Sequence, residues 1–375
     1  MNVAIDAYNI KEGGGVTHLR NLIKYFNQNY FSKVYVFCNR QVKSELEKMA
    51  RDGIILIHNY CLDNCILKKI FWDIFVLPHE LKKFNASVFF SPGGLLPFRR
   101  LRNIKSVTMC QNVLPFDDVE LTRAGVFLAA KRLLLKTLLL RSFDASDGVI
   151  FLSSASRNNV KKLLCHTLVD TIIPHAVDVN FFQRENTDNC FDVKNIKLLY
   201  VSSIKLYKNH RETIKALSIL RARGYENINI QFVGAQDKKV MKDLSRLIGK
   251  LGLNDHIKFL HQVSYEDMCR LYFNSSLFVF SSSCESFGFP LLEAMASGLP
   301  MACSNNAPFP EIVKDAAIYF NPKIPESIAD AIETLIKDNG IRGELIEKAV
   351  ALSKNYSCEK NADSTFSFLR EIAEH

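Results

Sequence analysis

The sequence predicts an α/β chain of two Rossmann-like domains, each built on a parallel sheet. Three observations lead there. The chain has 375 residues, too many for one ordinary core and enough for two. Short apolar runs alternate with longer helical patterns throughout, which is the grammar of βαβ units. That alternation stops at the polar, poorly periodic stretch Gln183 to Asn195 and then restarts. Charge divides at the same place: residues 1–190 carry 25 Lys and Arg against 17 Asp and Glu, whereas residues 191–375 carry 23 against 22. A basic half and a near-neutral half point to two units with different partners. We place the domains at 1–185 and 186–357.

In the first half, Val3 to Ala7 reads as a strand, and Gly13-Gly14-Gly15 opens a helix to about Asn29. Glycines before a helix let backbone N–H groups approach an anion or a sugar. Strands follow at Lys33 to Cys38, Gly53 to His58, Ala86 to Phe90, Ile104 to Cys110 and Gly148 to Leu152. Ser91-Pro-Gly-Gly94 and Gln111-Asn112-Val-Leu-Pro115 are loops after two of these strands, on the same strand-end side as the glycines. Ser153 to Ser156 caps a helix. Two helical stretches, Leu67 to Phe84 and Arg123 to Arg141, mix apolar residues with lysine and arginine. Their charges spread around the helix, so a buried helix with snorkelling basic ends is preferred to a membrane helix.

The second half repeats the pattern. Strands are expected at Ile196 to Val201, Ile228 to Val233 and Ile257 to Leu260, with helices to about Arg223, at Asp237 to Leu251 and at Tyr265 to Asn274. The stretch Leu277 to Asn306 carries the most information. Leu277 to Phe280 reads as a buried strand and the serines 281–283 end it. Gly288 and Pro290 shape a loop, Leu291 to Ser297 reads as a helix, and Leu299 to Cys303 as the next strand. Two carboxylates frame the loop: Glu285 after the strand and Glu293 in the helix's first turn. Acceptor-only groups at both edges of a strand-end pocket suit a ligand rich in hydroxyls. Ile324 to Lys354 gives two helices, and Glu359 to Glu374 one more.

Glu285-Ser-Phe-Gly-Phe-Pro-Leu-Leu-Glu293, followed by Ala294-Met-Ala-Ser-Gly298-Leu-Pro300, resembles the E-x7-E signature of glycosyltransferase family 4. The resemblance covers most of residues 195–355 and is looser, carried by loops, in the first half. It implies the GT-B fold, in which two Rossmann-like domains face each other across a cleft and the last helix, here within 358–375, packs back on the first domain. It implies a retaining transfer of a sugar from a nucleotide-diphosphate sugar to a saccharide or lipid-linked saccharide, in cell-surface polysaccharide or lipopolysaccharide assembly. By position, Glu285 would hold sugar hydroxyls and Glu293 the ribose. Phe287, Gly288 and Phe289 would line the donor loop. Lys208 and Ser203 would meet the diphosphate, and His261 and Val263 the base. Gly14 and Gly15 would lie against the donor phosphates. Gln111-Asn112 stands where relatives carry His-Asp or His-Asn, and Gln111 cannot take up a proton in the working pH range. Ser203 stands where many relatives carry arginine.

No Asp-x-Asp pair occurs, so no metal cofactor is expected and side chains would neutralise the leaving diphosphate. No P-loop motif occurs, and no nucleic-acid motif, so nucleic acid is not an expected partner. Ten cysteines are scattered, with Cys61 and Cys65 the only close pair, which suits free thiols in a cytoplasmic protein. No apolar stretch is long enough to span a membrane, but the basic first half suits peripheral docking on an anionic membrane face. Two other readings share the architecture: a nucleotide-sugar epimerase, which needs no acceptor, and a non-catalytic nucleotide-sugar-binding protein, suggested by Gln111 and Ser203.

Overall fold

The computed structural model describes every residue except 11–12, 50, 60–61, 63–65, 98–100, 102, 118–125, 167, 183–190 and 262. Cys61, Cys65 and most of the polar stretch 183–195 therefore lie outside the described residues. The seven other cysteines named in the described structure are free thiols.

The chain divides into two compact units. One holds Met1–Phe116, Ala124–Ala176 and Cys358–His375, the other Asp117–Arg123 and Val177–Ser357. The division falls before the polar stretch rather than within it. Its cause is Phe181, which is buried edge-on against Tyr265 and Tyr272 and so belongs to the second core.

The first unit is a seven-stranded parallel sheet. Its strands are β1 (Asn2–Ala7), β2 (Lys33–Cys38), β3 (Ile54–Ile57), β4 (Ala86–Ser91), β5 (Lys105–Cys110), β6 (Gly148–Phe151) and β7 (Asp170–Ile172), in the order β3-β2-β1-β4-β5-β6-β7. The central strands are buried on both faces, which is why they read as unbroken apolar runs. The terminal helix Cys358–Glu374 packs here: Phe366 meets Phe26 and Phe31, and Asn361 Nδ2 donates to the Pro174 carbonyl at 2.6 Å.

The second unit has six parallel strands: β8 (Ile196–Val201), β9 (Ile228–Val233), β10 (Ile257–Leu260), β11 (Leu277–Phe280), β12 (Met301–Ser304) and β13 (Ile318–Phe320), in the order β10-β9-β8-β11-β12-β13. Both sheets reverse direction once, between β1 and β4 and between β8 and β11. At such a point the loops leaving neighbouring strands diverge and open a crevice.

Element ends shift from the sequence reading for local reasons. The glycine-led helix stops at Lys24, not Asn29. There the Asn27 side chain accepts the Asn29 N–H at 2.9 Å and offers the backbone a turn instead. The helix after the glutamate loop starts at Phe289, because Pro290 is tolerated in a first turn. Glu293 consequently sits in the second turn, which corrects its expected place in the first. β7, β13 and the short helix Phe309–Val313 were too short to show a period.

Three histidines are buried as neutral imidazoles. Burial lowers His18 to about 4, and lowers His175, whose ring lies 5.0 Å away, well below the ordinary value. Burial and then the Lys208 charge lower His210 to about 3. In the unfolded chain each would take up a proton near pH 6.5. Below that pH the unfolded state binds more protons than the folded one, so stability falls as pH falls from 6.5 toward the folded values. The unfolding midpoint is expected to drop between about pH 7 and about pH 5, and to drop less steeply in His18→Gln. A midpoint that stays level over that range would show the imidazoles to be hydrated.

Candidate active site

The second unit's crevice is built from the loops after β8 and β11. The β8 loop runs through Ser203 and Lys205 to a 3-10 turn, Leu206–Lys208. Asn209 then takes the left-handed conformation (φ 53°), which asparagine tolerates better than most residues, and starts the helix His210–Ala222. Asn209 Nδ2 reaches across the crevice, donating to the Ser281 carbonyl at 2.7 Å and to Ser283 Oγ at 2.6 Å. The Ser283 N–H donates back to the Tyr207 carbonyl at 2.8 Å. These bonds tie the two loops together.

Lys208 is the result of that tie. Its carbonyl accepts the Tyr200 hydroxyl at 2.5 Å and the Ser281 hydroxyl at 3.1 Å. Tyr200 in turn stacks on His210, with ring centroids 4.7 Å apart. With its backbone fixed, the Lys208 side chain is nearly buried, and its ammonium pairs with the Glu285 carboxylate. The Tyr207 and Phe280 rings lie 5.1 and 5.8 Å from the ammonium. A buried ion pair adds little net stability over apolar packing, so this one is better explained by chemistry than by folding.

Past Glu285, Gly288 has φ +113°, and a Cβ there would meet Leu291 at 3.2 Å and Phe309 at 3.3 Å. Only glycine makes this turn without strain. Gly234 has a similar duty beneath the β8 loop, where a Cβ would lie 2.3 Å from the Ser202 carbonyl. Phe287 is buried against Tyr356, 6.0 Å between centroids, so its side chain anchors the loop. Phe289 is half-buried. Glu293 accepts the Tyr272 hydroxyl at 2.8 Å. Burial, then the Glu293 charge, keep that hydroxyl protonated well above its usual range.

In the first unit Gly13 (φ 73°) precedes the helix Gly14–Lys24. A Cβ on Gly15 would lie 3.2 Å from Gln111 Oε1, so the glycine loop and Gln111 meet. Gln111 Nε2 points to Met109 Sδ at 3.3 Å. Asn112 is exposed, and its Oδ1 accepts the Leu114 N–H at 3.1 Å in a local turn.

Of the expected residues, the structure joins Lys208 to Glu285 and Gly15 to Gln111. Glu293 sits on the helix that follows. His261 is exposed after β10, and Val263 lines a separate pocket of about 330 Å³ with Leu260 and Arg270. Ser203 is half-buried in the β8 loop. The sequence reading missed Asn209, Ser283 and Tyr272. An asparagine directly before a helix was a usable signal for the first; the other two depend on contacts between distant segments.

Comparison with known proteins bears on the family and the fold. The profile described as "Glycosyl transferases group 1" matches residues 182–352, and that of "Glycosyltransferase Family 4" matches residues 12–181. The chain is 25% identical over 302 residues to the O-antigen chain mannosyltransferase B of Escherichia coli, covering 76% of this chain and 74% of that protein. It is 28% identical over 185 residues to the O-antigen chain mannosyltransferase RfbU of Salmonella typhimurium, covering 49% and 47%. Among solved structures it is similar to Anabaena Alr3699/HepE in complex with UDP-glucose, with a TM-score of 0.76, 17% identity and coverage of 98% and 100%. It is also similar to WaaG, a glycosyltransferase involved in lipopolysaccharide biosynthesis, with a TM-score of 0.75, 15% identity and coverage of 98% and 99%. These likenesses give the GT-B fold.

Proposed function

Because the chain belongs to the family 4, group 1 glycosyltransferases, we propose that it moves a sugar from a nucleotide-diphosphate sugar to a saccharide or lipid-linked saccharide, with retention at the anomeric carbon. The observation that carries the reading is the Lys208–Glu285 pair at the switch point of the second sheet. Glycosyl transfer needs a cation where the diphosphate leaves and acceptor groups where the sugar's hydroxyls sit. Lys208 supplies the first and Glu285 the second. Glu293, which accepts the Tyr272 hydroxyl, would take ribose hydroxyls. Departure of the diphosphate leaves positive charge on the anomeric carbon, and the acceptor hydroxyl adds from the same face as its proton passes to the departing phosphate.

Names of relatives set the order of testing. Two are O-antigen chain mannosyltransferases, and one structural neighbour holds UDP-glucose, so mannosyl and glucosyl donors come first. We place the product in O-antigen or lipopolysaccharide-type polymers on the same ground. The family matches favour neither an epimerase nor a non-catalytic binder.

A thermal-shift screen against a nucleotide-sugar panel tests the donor. Ligand at a hundred times its Kd stabilises by roughly 2.7 kcal/mol, a readable shift. An absence of any shift across the panel would count against the donor site. Transfer is also expected to survive EDTA, since Lys208 stands where a metal would otherwise balance the diphosphate and the sequence has no Asp-x-Asp pair. Activity abolished by EDTA and restored by Mg²⁺ or Mn²⁺ would assign the charge balance to a metal.

A further inference from the structure

Helix Tyr265–Phe273 leads into β11, and helix Phe289–Ala296 follows the loop after that strand. Tyr272, in the last turn of the first helix, sends its hydroxyl to the second. Its ring is wholly buried, edge-on to Phe181 at 5.5 Å and tilted against Phe278 at 5.6 Å. Phe181 comes from the 3-10 turn Val179–Phe182, which precedes the first strand of this unit. Close packing against these rings leaves the hydroxyl little freedom. It donates to Glu293 Oε2 at 2.8 Å, and the Pro290 carbonyl lies at 3.2 Å. A phenol has a single hydrogen, and its shorter contact is to the charged acceptor, which makes the stronger kind of bond.

Apolar packing does not call for this hydroxyl. A phenylalanine would make the same ring contacts, and a buried hydrogen bond adds only modest net stability once the hydroxyl has left water. Glu293 is equally out of character on its own helix. It is the one ionisable residue in Phe-Pro-Leu-Leu-Glu-Ala-Met-Ala, half-buried and flanked in sequence by the wholly buried Leu292 and Ala294. A glutamate side chain has several rotatable bonds, and fixing them on a ligand costs entropy at the moment of binding. A partner that fixes them beforehand removes that cost. Tyr272 can do so at any working pH, because burial and then the Glu293 charge keep its hydroxyl protonated.

We propose that Tyr272 is a positioning residue: it holds the Glu293 carboxylate in the rotamer that receives the ribose hydroxyls, and so makes the protein select ribonucleoside over deoxyribonucleoside diphosphates. The inference rests on the proposed function for the role of Glu293, and adds the residue that sets it.

Calorimetry first ranks the common ribonucleoside diphosphates, and the tightest is compared with its 2′,3′-dideoxy form. The wild-type protein is expected to prefer the ribose form at least about tenfold, since each carboxylate–hydroxyl bond is charge-assisted. In Tyr272→Phe the preference should shrink to about threefold or less, with the dideoxy form bound as before. This variant removes one oxygen and keeps the ring, and circular dichroism checks that it is folded. A merely structural role would weaken both forms alike and leave their ratio unchanged. Glu293→Gln should lose the preference as well, and adding Tyr272→Phe to it should change the ratio no further, because the hydroxyl acts only through the carboxylate. Additive effects of the two substitutions on the ratio would overturn the proposal. An unchanged ratio in Tyr272→Phe, with the preference lost in Glu293→Gln, would overturn it alone. No binding of any of the diphosphates, or a wild-type protein indifferent to the ribose hydroxyls, would overturn the donor reading at Glu293 and this proposal with it.

Discussion

Glu285→Gln is expected to keep the fold and lose most of the transfer activity while retaining affinity for the nucleoside diphosphate. Glutamine preserves the shape of the side chain and removes its charge. The sugar hydroxyls would then lose charge-assisted hydrogen bonds, each contributing about 1.5–3 kcal/mol, which corresponds to roughly a 10- to 100-fold loss in kcat/KM. The second half of the expectation comes from the ion pair. Glu285 holds the Lys208 ammonium, so an incoming diphosphate must compete for it. With glutamine the competition weakens, and product affinity should hold or rise. Breaking one side of a buried pair destabilises by about 3 kcal/mol at most here. The Glu285 side chain is 19% exposed, so water offsets part of that cost. Turnover, calorimetric affinity and a circular dichroism melt, taken together, give the answer. Near-normal turnover in a folded variant would remove Glu285 from the site.

This split between charge and shape marks where sequence reading stops. The strand at Leu277–Phe280 was legible because four consecutive apolar residues are what burial on both faces of a sheet requires. The loop after it was legible because Gly288 and Pro290 restrict the backbone in opposite ways. Fold class and the two glutamates followed from such local constraints. The Lys208–Glu285 pair did not, because 77 residues separate its members and their meeting depends on β8 lying beside β11. Tyr272 was hidden in the same way: its hydroxyl reaches Glu293 from a neighbouring helix that reads as ordinary.

Lys208→Ala should weaken nucleoside-diphosphate binding at least about tenfold, the equivalent of 1.4 kcal/mol, and should lose transfer with it. The family resemblance implies an arginine and a lysine in this loop; Ser203 stands at the position it gives to the arginine, and a serine donates one neutral hydrogen bond where arginine would make a charge-assisted, often bidentate one. Lys205 is a poor substitute. It is half-exposed and lies 3.6 Å from Asp237, the residue that caps helix Lys238–Leu251 by accepting two of its first N–H groups. Lys205→Ala is therefore expected to cost less than Lys208→Ala, and Ser203→Arg to tighten binding. The ion pair supplies the control that separates lost binding from lost folding. Lys208→Ala leaves the Glu285 carboxylate without its cation at the mouth of the crevice, which both lowers stability and repels the diphosphate. Adding Glu285→Gln removes that charge, so the double variant should regain stability and part of the repulsion term. It should still bind the diphosphate more weakly than Glu285→Gln alone, because the ammonium is missing. Calorimetry on the four proteins of this cycle measures both terms. Equal affinity in Glu285→Gln and the double variant would mean that Lys208 never touches the phosphates, and that their counter-charge must be sought at the backbone N–H groups of the Gly13–Gly15 loop.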